Sequence, residues 1–296
     1  MSTIERAIEK LSKSGADDGL SNLLESTELV SNVDDEPKGH DVVDHSFGGS
    51  GDRNSGVPSK QVCLSGWLKA YGMLPSNHSR NRIMEEYRMI KRPLLKYVDG
   101  DGADKIHNSN LIMVASALPG EGKTFTALNL AISIAMEQGR TAILVDADFS
   151  RISLEKIVGK DRKGFGDYLA GEVASVDEVL LDTDVHDLKI VASGTPHAYA
   201  TELLAGSKMS SFIVDINNKF PDNIIIFDTP PVLISSEAGT LSKEVGQVVF
   251  VVEAEQSSKD KLSEALSVFD PSQTVGLVLN KCHIKYKSGY YGSFES

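Results

Sequence analysis

The chain is short of cysteine, tryptophan and positive charge, with 2 Cys, 1 Trp and 30 Lys+Arg against 42 Asp+Glu in 296 residues. Cys63 and Cys282 are too distant for a C-x-x-C motif and too few for a disulfide framework, so free thiols in a reducing compartment are expected. A formal charge of −12 argues against general nucleic-acid binding, because neutralising phosphates takes a surplus of Lys and Arg. No nucleic-acid partner is therefore expected. Apolar runs such as Val248 to Val252 are about strand length, far below the roughly 20 residues that span a bilayer. Residues 1–11 lack a signal peptide's apolar core, and the seven histidines show no H-x-x-x-H spacing that would suggest zinc. These absences together predict a soluble, cytoplasmic protein.

What is present suits a globular chain: 41% hydrophobic and 24% charged residues supply a real core. Composition shifts near residue 60. Residues 1–60 hold 12 acidic and 6 basic residues and a Gly-Gly-Ser-Gly run ending at Gly51. Ile4, Ile8 and Leu11 make one helical stripe; the rest of residues 1–60 reads as a flexible acidic linker, with one short helix around Leu23. Between Arg80 and Val98, Ile83, Tyr87, Ile90 and Leu94 share a helix face, and Pro93 is expected to end or kink that helix near Arg92.

An α/β rhythm follows. Strands are predicted at Leu111 to Ser116, Thr141 to Val145, Leu188 to Val191, Asn223 to Phe227, Val248 to Val252 and Val275 to Leu279. Helices are predicted from Thr124 to about Gln138, stopped by Gly139, from Thr201 to Phe220 and from Lys259 to Phe269. Continuous apolar strands alternating with helices imply an α/β fold, a mostly parallel sheet covered on both faces.

The strongest chemical signal is Ala117-Leu-Pro-Gly-Glu-Gly-Lys-Thr124, placed after a strand and opening a helix as a P-loop requires. Pro119, Gly120, Glu121 and Gly122 would form an anion nest with the helix N-terminus, continued by Lys123, Thr124 and Phe125. Lys123 would bridge the β- and γ-phosphates, and the Thr124 hydroxyl would bind Mg²⁺. Two further strands end in carboxylates: Asp146 and Asp148 after Ile143-Leu-Val, and Asp228 after Ile224-Ile-Ile-Phe. In an open parallel sheet the strand C-termini gather ligands, so these aspartates should converge on the P-loop and hold Mg²⁺ or its waters. Partition and division-site ATPases carry a signature lysine five residues before the P-loop lysine; Leu118 stands there.

Ser116-Ala-Leu-Pro-Gly-Glu-Gly-Lys-Thr124, Val145-Asp-Ala-Asp148 and Phe227-Asp-Thr-Pro-Pro-Val232 together resemble the three Walker-type motifs of the bacterial tyrosine kinases (BY-kinases). The resemblance covers residues 60 to 285. It is closest to the stand-alone autokinases of exosortase-associated (PEP-CTERM type) exopolysaccharide clusters, on Met1-Ser-Thr-Ile-Glu5, Lys91-Arg-Pro-Leu-Leu95 and Thr201-Glu-Leu-Leu204. Glu85, Arg88 and Lys91 match the family's E-x-x-R-x-x-R oligomerisation helix, with Lys91 in place of the last Arg.

The resemblance implies a P-loop kinase domain over residues 61–285 and a flexible tyrosine-rich tail over 286–296. Three of the eight tyrosines, Tyr286, Tyr290 and Tyr291, lie in that tail and would be the phosphoacceptors of an ATP- and Mg²⁺-dependent autokinase acting in trans within a ring-type homo-oligomer. Lys123, Asp146 and Asp148 are the implied catalytic residues, either aspartate serving as base. Thr124, Asp146 and Asp228 are the implied metal ligands, and Asn280 the adenine contact. An inner-membrane polysaccharide chain-length regulator is the implied activator, recruiting the protein to that membrane and linking it to exopolysaccharide synthesis and export. The alternative is a regulatory P-loop ATPase, a partition-like switch without kinase activity.

Overall fold

Strands that read as unbroken apolar runs have no face to offer water, and here they form the middle of one sheet. The computed structural model describes residues 61–64, 68, 77–100, 106–150, 154–159 and 162–282. Its strands are β1 (Gln61–Val62), β2 (Leu111–Ser116), β3 (Thr141–Asp146), β4 (Leu180–Thr183), β5 (Leu188–Val191), β6 (Asn223–Asp228), β7 (Gln247–Glu253) and β8 (Thr274–Asn280). Their order across the sheet is β1-β4-β5-β3-β6-β2-β7-β8. The last six in that order run parallel, while β4 pairs antiparallel to β5 and carries β1 beside it.

Side chains alternate between two cores, as the two-residue period of a strand requires. Leu111, Met113 and Ala115 of β2 join one core with Phe165, Phe212, Phe227 and Phe250. Ile112 and Val114 join the other with Leu128, Ile134 and Leu144. The helices are α1 (Asn77–Val98), α2 (Lys123–Ala135), α3 (Glu155–Val158), α4 (Phe165–Ala170), α5 (Ala200–Leu204), α6 (Ser207–Lys219), α7 (Ser236–Leu241) and α8 (Lys259–Leu266). α1 and α2 cover the second face; α4 and α6 cover the first.

The six expected strands lie within a residue of their predicted ends. β1 and β4 were not among the expected strands: β1 is two residues long, and β4 offers only two apolar residues before Asp182. Gly139 does adopt a left-handed turn, but α2 has already ended at Ala135. The single helix expected from Thr201 to Phe220 is two, α5 and α6, parted at Ala205 and Gly206.

The helix does not end at Pro93: α1 runs through it to Val98. Pro93 lies on the exposed side, while Tyr87, Ile90 and Leu94 are buried in the core beneath. The missing backbone bond costs about 3 kcal/mol, less than burying three such side chains returns at roughly 1.5–3 kcal/mol each. The Gln247 side-chain amide also donates to the Leu94 carbonyl at 3.2 Å.

Lys91 turns inward from this helix. Its ammonium donates to the Ser133 carbonyl at 2.6 Å and pairs with Glu137 at 2.6 Å, holding the Glu137 carboxyl below its ordinary pKa. Glu85 and Arg88 stay exposed and pair with each other at 2.8 Å. Lys91→Ala should therefore cost about 1–2 kcal/mol of stability, read as a lower urea midpoint with an unchanged slope. A midpoint equal to wild type would show that the inward bonds contribute nothing. The segments expected as N-terminal helix, linker and tail, with Tyr286, Tyr290 and Tyr291, lie outside the described residues.

Candidate active site

The order β3-β6-β2 brings three motif-bearing strand ends side by side. Asp146 and Asp228 are register partners on β3 and β6, and Val114 of β2 pairs with Asp228. The loop after β2 turns through Gly120 at φ 87° and Gly122 at φ 97° before α2 begins at Lys123. Both angles favour glycine. Gly122 is doubly constrained, because a Cβ there would lie 2.0 Å from the Asn280 side-chain nitrogen.

A cavity of about 380 Å³ opens in front of the loop, within the range of small-molecule sites. Pro119, Gly120, Gly122, Lys123, Thr124 and Phe125 line it, faced by Asp148, Ser150, Pro231 and Ile234. Pro231 and Ile234 reach the rim because residues 229–233 run alongside the end of β2: Val232 N–H donates to the Ser116 carbonyl and Leu233 N–H to that of Ala117.

Asp146 and Asp228 sit behind this wall, each 1% exposed. Asp146 accepts from the backbone N–H groups of Asp148 at 3.1 Å and Leu154 at 3.3 Å. Even so, burial and then the charge of Asp228 push its pKa well above the usual carboxylate range. Burial likewise lifts Asp228 to about 6, against the downward pull of the Thr124 hydroxyl and the Lys123 ammonium. Neither Asp228 oxygen is in hydrogen-bond geometry with a described neighbour, although Thr124 lies near enough to lower its pKa. Two orphaned, buried carboxylate oxygens beside a hydroxyl are the hard donors that a divalent cation takes, so these residues fit Mg²⁺.

Asp148 is the aspartate that lines the cavity, with one oxygen accepting from the Ser150 hydroxyl at 2.7 Å. Asn280, expected at the adenine, is buried behind the loop and donates to the Glu121 carbonyl at 2.9 Å. Glu121 is also turned away from the cavity, towards the Leu118 N–H and the Ser257 hydroxyl. Ser257 gave no signal in the sequence, since it lies 136 residues from Glu121.

Just beyond the C-terminal end of β5, Asp167, Glu172 and His197 come together, which no histidine spacing announces. The Lys163 ammonium already bonds both carboxylates. Burial alone would raise Asp167, but bonds from Lys163, Thr195 and Gly164 pull it down to about 2. Lys163 thus supplies the positive charge that a metal would bring.

No protein-family model matches the chain. It shares its fold with the kinase domain of Escherichia coli tyrosine kinase ETK, at TM-score 0.62 and 22% identity over 79% of this chain and 96% of that one. The chimerical protein CapA2B2 gives 0.60 and 22%, over 77% and 95%. Among curated proteins, the tyrosine-protein kinase YwqD of Bacillus subtilis is 28% identical over 72% of this chain and 87% of its own length. The chain spans only 25% of the length of three relatives from Klebsiella pneumoniae and Ralstonia, which it matches at 29–31% identity. The tyrosine-protein kinase CpsD of Streptococcus pneumoniae is 32% identical over 59% of this chain and 77% of its own length. A third of the residues shared across most of a smaller relative, on a common fold with the three motifs meeting at one sheet edge, makes this chain a member of the bacterial tyrosine kinase family.

Proposed function

We propose that the protein is an ATP-dependent protein-tyrosine autokinase. The observation that carries this reading is the juxtaposition of a lysine-bearing anion nest with the Asp146–Asp228 pair behind it and Asp148 across a nucleotide-sized cavity. Phosphoryl transfer has a loose transition state, so positioning and charge neutralisation supply most of the catalysis. The backbone N–H groups of Gly120 to Thr124 orient the phosphates, and Lys123 offsets charge on the transferring group. Thr124, Asp228 and Asp146 would hold Mg²⁺, which when bound neutralises phosphate charge. A phenol with a pKa near 10 is neutral at pH 7. Asp148 is the better base, because it lines the cavity whereas Asp146 lies behind it and already accepts two backbone bonds. The tyrosine oxygen attacks the γ-phosphorus, the bond to ADP breaks, and Asp148 takes the phenolic proton.

Tyr286, Tyr290 and Tyr291 are the acceptors in this reading. The eight steps from Cys282 to Tyr290 reach roughly 26 Å at about 3.3 Å per residue, enough to enter a neighbouring subunit's site. The assembly is a ring-type homo-oligomer joined through Glu85 and Arg88, whose exposed pair can exchange partners across subunits. An inner-membrane polysaccharide chain-length regulator is its activator and exopolysaccharide export its setting, as in exosortase-associated clusters. In this reading recruitment to the inner membrane runs through that partner; no described helix is long and apolar enough to cross a membrane.

The test is phosphotyrosine mapping on the purified chain with Mg²⁺-ATP, beside a chain ended before Tyr286. Signal confined to the tail supports the proposal; ATP hydrolysis without phosphotyrosine would favour a regulatory ATPase. Tyr199, 71% exposed on the loop after β5, and the less exposed Tyr97 are described tyrosines that mapping must separate from the tail. Each tail phosphate adds about −1.5 to −2 charge to a chain at −12. Phosphorylation should then dissolve the oligomer. Equal sedimentation of the phosphorylated protein and a Tyr286/Tyr290/Tyr291→Phe variant would contradict this.

A further inference from the structure

The phosphate loop contains a buried charge that phosphoryl transfer does not use. Glu121 is 3% exposed between two glycines of the nest, where a carboxylate facing outward would repel a polyphosphate. It is held away from three directions. One carboxylate oxygen accepts from the Leu118 N–H at 2.7 Å, the other accepts from the Ser257 hydroxyl, and the backbone carbonyl accepts from Asn280 at 2.9 Å.

The two segments that deliver Ser257 and Asn280 are themselves braced. Each contains a non-glycine residue in the left-handed region, Glu255 at φ 63° and Lys281 at φ 59°. Such conformations persist only where the surroundings over-determine them. The segments also bond each other, through Ala254 N–H to the Asn280 carbonyl at 2.9 Å and Lys281 to Glu253 at 3.3 Å.

We propose that Ser257 is a positioning residue for nucleotide binding: its hydroxyl keeps the Glu121 carboxylate turned away from the anion nest, so the turn after β7 sets the affinity of the phosphate loop. Without the hydroxyl, one oxygen of a buried carboxylate loses its partner. That carboxylate then swings towards the nest or draws water in beside it, and either outcome opposes the charge of ATP. The interaction is made before and during transfer alike, so its loss should raise KM for ATP while leaving kcat nearly unchanged.

The inference rests on the reading of the loop as an ATP site, and nucleotide binding tests it apart from tyrosine phosphorylation. A fluorescent ATP analogue with Mg²⁺ would be titrated into the full chain, with urea midpoints measured alongside. Ser257→Ala should weaken binding about tenfold, the scale of losing a hydrogen bond to a charged group. Ser257→Thr, which keeps the hydroxyl, should bind within about threefold of wild type on the same scale. In a Glu121→Gln background there is no charge to misdirect, so adding Ser257→Ala should cost under about threefold, a double-mutant cycle with clear coupling.

A Ser257→Ala chain with a lower urea midpoint but unchanged affinity would overturn the proposal, since the bond would then be merely structural. So would a Thr variant as weak as Ala, or a full tenfold loss in the Gln background. A wild-type chain that binds the analogue yet makes no phosphotyrosine would remove the kinase reading and leave this one standing; one that binds no nucleotide would overturn both.

Discussion

Asp228→Asn is expected to stabilise the nucleotide-free protein while abolishing phosphoryl transfer. The wild-type carboxyl is lifted to about 6 in the folded state, above the ordinary 3.8 of an aspartate, because burial disfavours its charge. Between those values the folded protein binds more protons than the unfolded chain, so stability falls as pH rises from about 4 to 6 and stays lost above that. The shift corresponds to a few kcal/mol, on the order of 3, at about 1.4 kcal/mol per unit. An asparagine carries no charge to desolvate, and it removes the like charge that Asp228 sets beside Asp146. The variant should melt about 5–10 °C higher at pH 8, at a few degrees per kcal/mol, with a flatter dependence between pH 4 and 6. The same carboxylate fits Mg²⁺, so activity should disappear, the usual conflict between stability and a charged site. Thermal melts across that pH range decide it; a variant that melts lower at pH 8 with the wild-type slope would refute the argument.

Lys123→Met should lower the rate of phosphotyrosine formation at least about 10²–10³-fold, the typical consequence of removing one preorganised donor to developing charge. Lys123 is 8% exposed at the start of α2 and lines the cavity. Methionine keeps most of the apolar stem, and the loop conformation depends on Gly120, Gly122 and Glu121 instead. The fold should therefore survive, and single-turnover phosphorylation at saturating Mg²⁺-ATP isolates the chemical step. A variant retaining more than a tenth of the wild-type rate would mean that the ammonium does not bear on the transferring phosphate.

The P-loop, the two aspartate-ended strands and the resemblance they support were all legible in the residues, because each depends on chemistry within about ten positions. A glycine that must take a positive φ, a lysine at the head of a helix and a carboxylate ending an apolar run are local requirements. Pro93 shows where local rules end: propensity predicted an end or a kink, and over the core beneath Tyr87, Ile90 and Leu94 the helix continues to Val98. Lys91 repeats the lesson, since its motif pointed outward to a neighbour while its ammonium found Ser133 and Glu137 within the chain.

The sequence by itself determined the α/β class, the positions of the six parallel strands and the identity of the phosphate loop, since burial periodicity and backbone chirality act over a few residues. Only the tertiary structure decided that β6 inserts between β3 and β2, which sets Asp228 opposite Asp146. It alone turned Asp148 to the cavity, put Asn280 behind the loop and brought Ser257 to Glu121 across 136 residues. Strand order and side-chain partnership arise from how whole faces pack, and no local period encodes which distant segment will supply the partner for a buried charge.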